Sequence, residues 1–167
     1  MRFVIVTGMS GGGKSTALKM LEDAGFYCVD NLLVSLINKF VELIATPDSE
    51  ISKLALGLDV RTAQSFSKVE EVLTHLKESG YVFEILFMEA SESTLIKRYK
   101  ESRRVHPLNL DGRVEDGVRK ERKILEGIRK KSDYVIDTTR LLTRELKEEL
   151  DRIFIKNEEY NSLIITI

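Results

Sequence analysis

Cysteine is almost missing from this chain. Cys28 is the only one in 167 residues, so no disulfide closes within the chain and no thiolate cluster can hold a metal. Cys28 falls in a short apolar run and is expected to be packed rather than reactive. Histidine is nearly as scarce: His75 falls on a predicted helix with no partner in view, and His106, beside Pro107, is a candidate ligand contact in a loop. Proline occurs twice, as Pro47 and Pro107, each inside a stretch that reads as a loop. No uninterrupted apolar run reaches membrane length, and no apolar signal region precedes the first strand. Internal repeats, heptads and low-complexity segments are also absent. These absences leave a globular protein with a single core, expected in a reducing cytoplasm and without a membrane partner; 43% hydrophobic and 32% charged residues agree with that.

Net charge is −1, but the charges are unevenly distributed. Residues 91–131 hold 13 Lys and Arg against 7 Asp and Glu, and the rest of the chain carries the compensating acidic excess. A basic stretch on a near-neutral protein can serve nucleotide phosphates or an RNA backbone. Equally, Lys120, Lys123, Lys130 and Lys131 can lie on a solvated helix face with i,i+4 partners.

Apolar runs alternate with helical periods along the chain, which predicts a parallel sheet with helices on both faces. Strands are predicted at Arg2–Thr7, Phe26–Val29, Lys53–Val60, Val82–Met88 and Tyr134–Asp137. Between them lie a helix through Ala17, Leu18, Met20 and Leu21 that stops at Gly25, and one with Leu33, Leu36, Ile37, Phe40 and Ile44 on its apolar side. Further helices are predicted at Phe66–Ser79, Ser91–Ser102, Val114–Lys130 and Leu141–Ile155, with a mobile loop from His106 to Arg113. The chain, a single domain over 1–167, ends in the apolar run Leu163–Ile167. We expect it to be the first domain of a longer protein.

One segment carries the chemistry. Gly8-Met9-Ser10-Gly11-Gly12-Gly13-Lys14-Ser15 follows the first strand and opens the first helix, matching GxxxxGK[ST] in the context that the motif requires. Successive backbone N–H groups in such a turn form a concave nest for phosphate oxygens, and the helix N-terminus adds partial positive charge. Lys14 would reach the outer phosphates and Ser15 would place its hydroxyl on a magnesium ion. Asp59 ends an apolar strand, where an acidic residue orients that magnesium, so Asp59 is the expected metal partner of Ser15 and, with Lys14, a candidate for catalysis.

Asp30 also ends a strand on the edge where open parallel sheets place ligands. It is a candidate general base toward an acceptor hydroxyl, a second magnesium partner, or the N-cap of the next helix. Arg98, Arg103 and Arg104 precede the mobile loop, where arginines can close over a transferring phosphoryl group. Arg61 could hold a second anion, and Asp137-Thr138-Thr139 could contact a base or, more simply, cap the last helix. Together these features resemble the nucleoside-kinase-like branch of the P-loop NTPase fold, and that likeness implies an α/β three-layer sandwich with a mostly parallel sheet.

Several blocks resemble the RapZ/YvcJ family: Thr7 to Ser15, Leu21 to Leu32 with Tyr27-Cys28-Val29-Asp30-Asn31, Asp59-Val60-Arg61-Thr62, Glu84 to Ala90, Arg98-Tyr99, Arg103-Arg104-Val105-His106-Pro107-Leu108, and Val135 to Thr139. The likeness covers almost the whole chain. It implies ATP binding at Gly8 to Ser15 and a GTP-associated motif at Asp59, Val60, Arg61 and Thr62; Thr16, next to the glycine motif, and Arg103 and Arg104, before the mobile loop, are the further expected nucleotide contacts. It further implies slow triphosphate hydrolysis and, for some members, an RNase-adapter role that involves small regulatory RNA and a second domain. Leu33 departs from the family, which often has proline after Asp-Asn-Leu, and a looser start to the following helix is expected.

Overall fold

The computed structural model describes residues 1–60, 63–102 and 113–155, the side chains of residues 63, 64 and 102 excepted. Arg61, Thr62, Arg103, Arg104, His106, most of the loop expected after it and the run Leu163–Ile167 lie outside the described residues. In chain order the elements are β1 (Arg2–Gly8), α1 (Lys14–Asp23), β2 (Tyr27–Val29), a 3-10 turn (Val34–Leu36), α2 (Ile37–Ile44), β3 (Lys53–Gly57), α3 (Ala63–Glu78), β4 (Glu84–Glu89), α4 (Glu92–Ser102), α5 (Val114–Lys131), β5 (Tyr134–Asp137) and α6 (Thr143–Phe154). The strands form one sheet in the order β2-β3-β1-β4-β5, and every pairing is parallel.

Strand alternation divides the core into two layers. Phe3 and Ile5 of β1, Leu54 and Leu56 of β3, and Ile85 and Phe87 of β4 face one side, where they meet Ile37 and Val41 of α2, Val69 and Leu76 of α3, and Leu125 and Ile128 of α5. Val4 and Val6, Ala55, Leu86 and Met88 face the other side, against Leu18 and Leu21 of α1 and Leu146, Leu150 and Ile153 of α6. Because both faces are covered, the strands are continuously apolar rather than alternating with polar residues. That is the expected three-layer sandwich, and no described helix is long and apolar enough to cross a membrane.

The differences from expectation are local. The third strand ends at Gly57, so Asp59 stands two residues past the last paired residue instead of within the strand. The helix expected to begin near Leu33 starts as a 3-10 turn and becomes α-helical only at Ile37. Leu33 nonetheless holds φ −59°, the value a proline would impose, so the turn retains that geometry without the ring. Cys28 is half-buried in β2, its thiol directed to the carbonyl of Leu18 at 3.3 Å, and burial followed by the charge of Glu22 pushes its pKa up to about 11.

At the amino end of the sheet, Arg2 fastens α6 to the strands. Its guanidinium donates to Glu84 at 2.9 and 3.3 Å and to the carbonyls of Phe154 and Ile153, both at 3.1 Å. A cation there also opposes the negative end of the helix dipole. Phe154 is fully buried, edge-on to Phe26 and Tyr134 with ring centroids at 6.1 and 5.5 Å. Burial and the neighbouring Glu84 carboxylate push the Tyr134 hydroxyl up to about 12, so it stays a donor to Glu84. Replacing Phe154 by Ala should cost about 3–5 kcal/mol in urea unfolding, because the ring closes the core at the sheet's far end from the glycine-rich loop.

Candidate functional site

The glycine-rich turn leaves β1 at the carboxyl edge of the sheet, beside the point where the strand order reverses. Its backbone lies directly on the end of β4. The N–H of Met9 donates to the carbonyl of Met88 at 2.9 Å, and the N–H of Gly12 donates to the carbonyl of Met9 at 2.8 Å. A Cβ at Gly8 would fall 2.0 Å from the Met88 oxygen, and one at Gly12 would fall 2.7 Å from it. Neither position can carry a side chain without pushing the turn off the sheet. Gly8, Gly11 and Gly13 also adopt positive φ, at 143°, 82° and 104°.

Gly13 then begins α1 with no side chain capping the helix. The amides of Lys14, Ser15 and Thr16 belong to the first turn, where the helix ladder supplies no acceptors. Main-chain donors converging at a positive helix end, on a turn that only glycine can form, fit an anion with several oxygens.

The cation and the carboxylate expected beside this turn are both present. Lys14 Nζ lies 3.3 Å from the carbonyl of Leu58 and 3.6 Å from Asp59 Oδ1. Lys14 is thereby held across the gap between the turn and the end of β3. Ser15 is exposed at the start of α1, on the same edge of the sheet. A hydroxyl and a carboxylate are hard oxygen donors of the kind magnesium takes alongside phosphate oxygens.

Asp30 stands on this edge as well, exposed at the end of β2. It lies so close to β3 that a Cβ at Gly57 would be 2.4 Å from its Oδ1. Its carboxylate accepts from the N–H of Asn31 at 2.9 Å, and Asn31 takes φ 58°. The residue at the N-cap of the following 3-10 turn is Leu33, so of the three readings of Asp30 the N-cap is not formed. Asp137 does not cap the last helix either: it accepts from the amide and hydroxyl of Thr139, which hold its carboxyl below the usual range, and the N-cap of α6 is Leu142.

Three contacts on the turn were not legible beforehand. Glu121 of α5, only 1% exposed, accepts from the amide of Ser10 at 2.7 Å and from its hydroxyl at 2.6 Å. Arg98 of α4 donates to the carbonyl of Gly11 at 2.7 Å and to the hydroxyl and carbonyl of Thr138 at 3.1 and 3.0 Å. Thr138, in turn, donates to the carbonyl of Gly12 at 2.8 Å. Arg98, expected as a closing arginine, is therefore a brace between the turn and the end of β5. The readable signal for Glu121 was a carboxylate on the apolar stripe of α5, in step with Val118, Leu125 and Ile128.

Much of the basic excess in 91–131 is matched by carboxylates. Arg129 donates to both oxygens of the buried Glu89 at 3.0 and 2.9 Å, and Arg122 lies 3.6 Å from the same group. Lys131 meets Glu70 at 2.7 Å, Arg119 meets Glu92 at 2.8 Å, and Lys130 pairs with Glu126 one turn earlier at 3.4 Å. Lys120 and Lys123 are exposed on the same helix.

Burial raises the pKa of Glu121 above the ordinary carboxylate value, against the lowering effect of the Ser10 hydrogen bonds. The folded chain therefore holds this proton at pH values where the unfolded chain has released it. Stability gained from that difference grows as pH falls through the raised value and is complete below the ordinary value of 4.5. Urea unfolding of the parent and of Glu121→Gln between about pH 7 and pH 4 should show the parent gaining on the variant towards acid; a constant difference would contradict a desolvated carboxylate here.

Comparison with known proteins places this geometry. Residues 1–158 match the family model of the RapZ-like N-terminal domain. A nucleotide-binding protein of Lachnoclostridium phytofermentans is 52% identical over all 167 residues, and one of Caldanaerobacter subterraneus subsp. tengcongensis is 48% identical over the same length. The chain spans 59% and 58% of those two relatives. Among solved structures, shikimate kinase from Acinetobacter baumannii in complex with shikimate aligns over 94% of both chains at TM-score 0.64 and 16% identity. A gluconokinase from Sinorhizobium meliloti aligns over 96% of this chain and 97% of its own at TM-score 0.55 and 18% identity. The fold is thus that of P-loop kinases, and by sequence the chain belongs to the RapZ-like N-terminal domain family.

Proposed function

We propose that this chain binds nucleoside triphosphates, ATP or GTP, together with magnesium, and acts as a regulatory domain that is a weak nucleoside triphosphatase at most. The observation that carries this reading is the glycine turn pressed on the Met88 carbonyl with Lys14 held between Leu58 and Asp59. In this reading the backbone from Gly8 through Met9, Ser10, Gly11, Gly12 and Gly13 to Thr16 cradles the phosphates, and Lys14 neutralises charge on the outer ones. Ser15 and Asp59 hold magnesium, which supplies charge neutralisation between phosphate oxygens when bound. Val60, Arg61 and Thr62 extend the contact, as do Arg103 and Arg104.

The relatives' name of nucleotide-binding protein supports the ligand class. The resemblance to RapZ/YvcJ supports slow turnover and, in a protein of the relatives' length, an adapter role toward an RNase or small RNA; the single cysteine supports a reducing, cytoplasmic setting. Any RNA contact through the exposed Lys120 and Lys123 would be strongly salt-dependent.

A second reading, a small-molecule kinase that transfers the γ-phosphate of ATP, is favoured by one observation: Asp30 fixed against Gly57 at the sheet edge, where a general base toward an acceptor hydroxyl would stand. Transfer of labelled phosphate to a nucleoside, sugar or pantetheine-type acceptor at ordinary enzymatic rates, lost in Asp30→Asn, would establish it. No product across such a screen leaves the regulatory reading in place.

Thermal unfolding decides the main proposal. At ~100-fold excess over its dissociation constant, ATP or GTP with magnesium should stabilise the parent by about 2.7 kcal/mol, and Lys14→Ala should lose most of that gain. If neither nucleotide protects the parent, the reading fails.

A further inference from the structure

We infer that Ser10 and Glu121 form the proton path for triphosphate hydrolysis: the Ser10 hydroxyl takes a proton from the attacking water while its own proton passes to the Glu121 carboxylate. This rests on the triphosphate reading above. Ser10 carries the only hydroxyl on the turn ahead of Lys14. Its amide donates to one carboxylate oxygen of Glu121 at 2.7 Å and its hydroxyl to the other at 2.6 Å. The hydroxyl hydrogen is thereby committed to Glu121, and the lone pairs of Oγ remain to accept a hydrogen from another molecule. Ser10 is half-buried whereas Glu121 is 1% exposed, so Ser10 is the member of the pair that solvent and ligand reach.

The pair also stands in the right neighbourhood. Lys14 and Asp59 both act on the charge of Glu121, the first favouring it and the second opposing it, which sets the carboxylate beside the place where Lys14 meets the outer phosphates.

Bracing Ser10 does not by itself require a charge. Glutamine has the same reach, accepts an amide hydrogen with its carbonyl, donates to a hydroxyl with its amide and spares the desolvation of an anion. A negative charge next to a cradle for phosphates also weakens binding. A carboxylate in that position has a use when it takes a proton, and local rules are broken where chemistry needs it.

In the step itself, the water oxygen bonds to the γ-phosphorus, and the bond from that phosphorus to the bridging oxygen breaks, its electron pair leaving with the nucleoside diphosphate. One water proton moves to Ser10 Oγ as the serine proton moves to Glu121 Oε2. Glu121 returns the proton to solvent when diphosphate and inorganic phosphate leave. Ser10 touches the nucleophile, and Glu121 acts through Ser10.

Single-turnover hydrolysis of labelled ATP and GTP with magnesium, at saturating protein, and affinities by calorimetry test this on the parent, Glu121→Gln, Ser10→Ala and Ser10→Thr, with Lys14→Ala as the blank. Glu121→Gln should hydrolyse about 100-fold more slowly, the low end of what a positioned base contributes. It should nevertheless bind both nucleotides as tightly as the parent or more tightly, an opposition of rate and affinity that loss of a brace does not produce. Ser10→Ala should lose the rate to the same extent, Ser10→Thr should recover most of it, and the double variant Ser10→Ala with Glu121→Gln should be no slower than either single one, because each removes the same relay. A rate that survives in Glu121→Gln, or one that falls only in step with a weakened affinity, overturns the relay and makes the pair a brace alone. A parent that binds the nucleotides without turning them over faster than the blank also overturns it and leaves the binding reading standing. A parent that binds neither nucleotide overturns both.

Discussion

The carbonyl oxygen of Met88 governs the geometry of everything around it. It lies one residue before the end of the interior strand β4, accepts the amide of Met9, and lies so near Gly8 and Gly12 that any side chain at either position would collide with it. The turn is therefore pinned to the sheet rather than extended into solvent. A sheet edge is among the stiffest places a small domain offers, so a cradle fastened there keeps its shape without a ligand to organise it. Lys14 and the first amides of α1 inherit their positions from this contact.

The pinned turn is held from three further directions, each contributed by a different helix or strand end. Glu121 grips Ser10 from α5, Arg98 grips Gly11 from α4, and Thr138 grips Gly12 from the end of β5. Two of these braces come from the helices on either side of residues 103–112, the segment that contains Arg103 and Arg104. Displacement of α4 or α5 would thus act directly on the turn, because the hydrogen bonds that join them to it are short. The same arrangement explains why the basic segment is not a bare cationic surface: Arg122 and Arg129 neutralise Glu89, which would otherwise be a buried charge at the end of β4.

Legibility in the sequence followed the range of the interaction. Five strands and six helices were readable from apolar spacing because each depends on neighbours within a few positions. The glycine motif was readable because its residues are contiguous and each is required locally. Element ends were less so: Asp59 was read inside a strand that stops at Gly57, and the caps that were one reading of Asp30 and the simpler reading of Asp137-Thr138-Thr139 fall in the structure to Leu33 and Leu142. Asp30 and Asp137 each found a nearer amide in their own loop, that of Asn31 and that of Thr139, a competition that spacing does not reveal.

By itself the sequence determined the class of the fold, the position of the phosphate-type turn on it, and the family, since these rest on periodicity and on contiguous residue types. Only the tertiary structure decided what surrounds the turn. Glu121 lies 111 positions from Ser10, Arg98 lies 87 from Gly11, and Thr138 lies 126 from Gly12. Partners so distant are chosen by how the helices settle on the sheet, and no local preference of Glu, Arg or Thr encodes which backbone group each will meet.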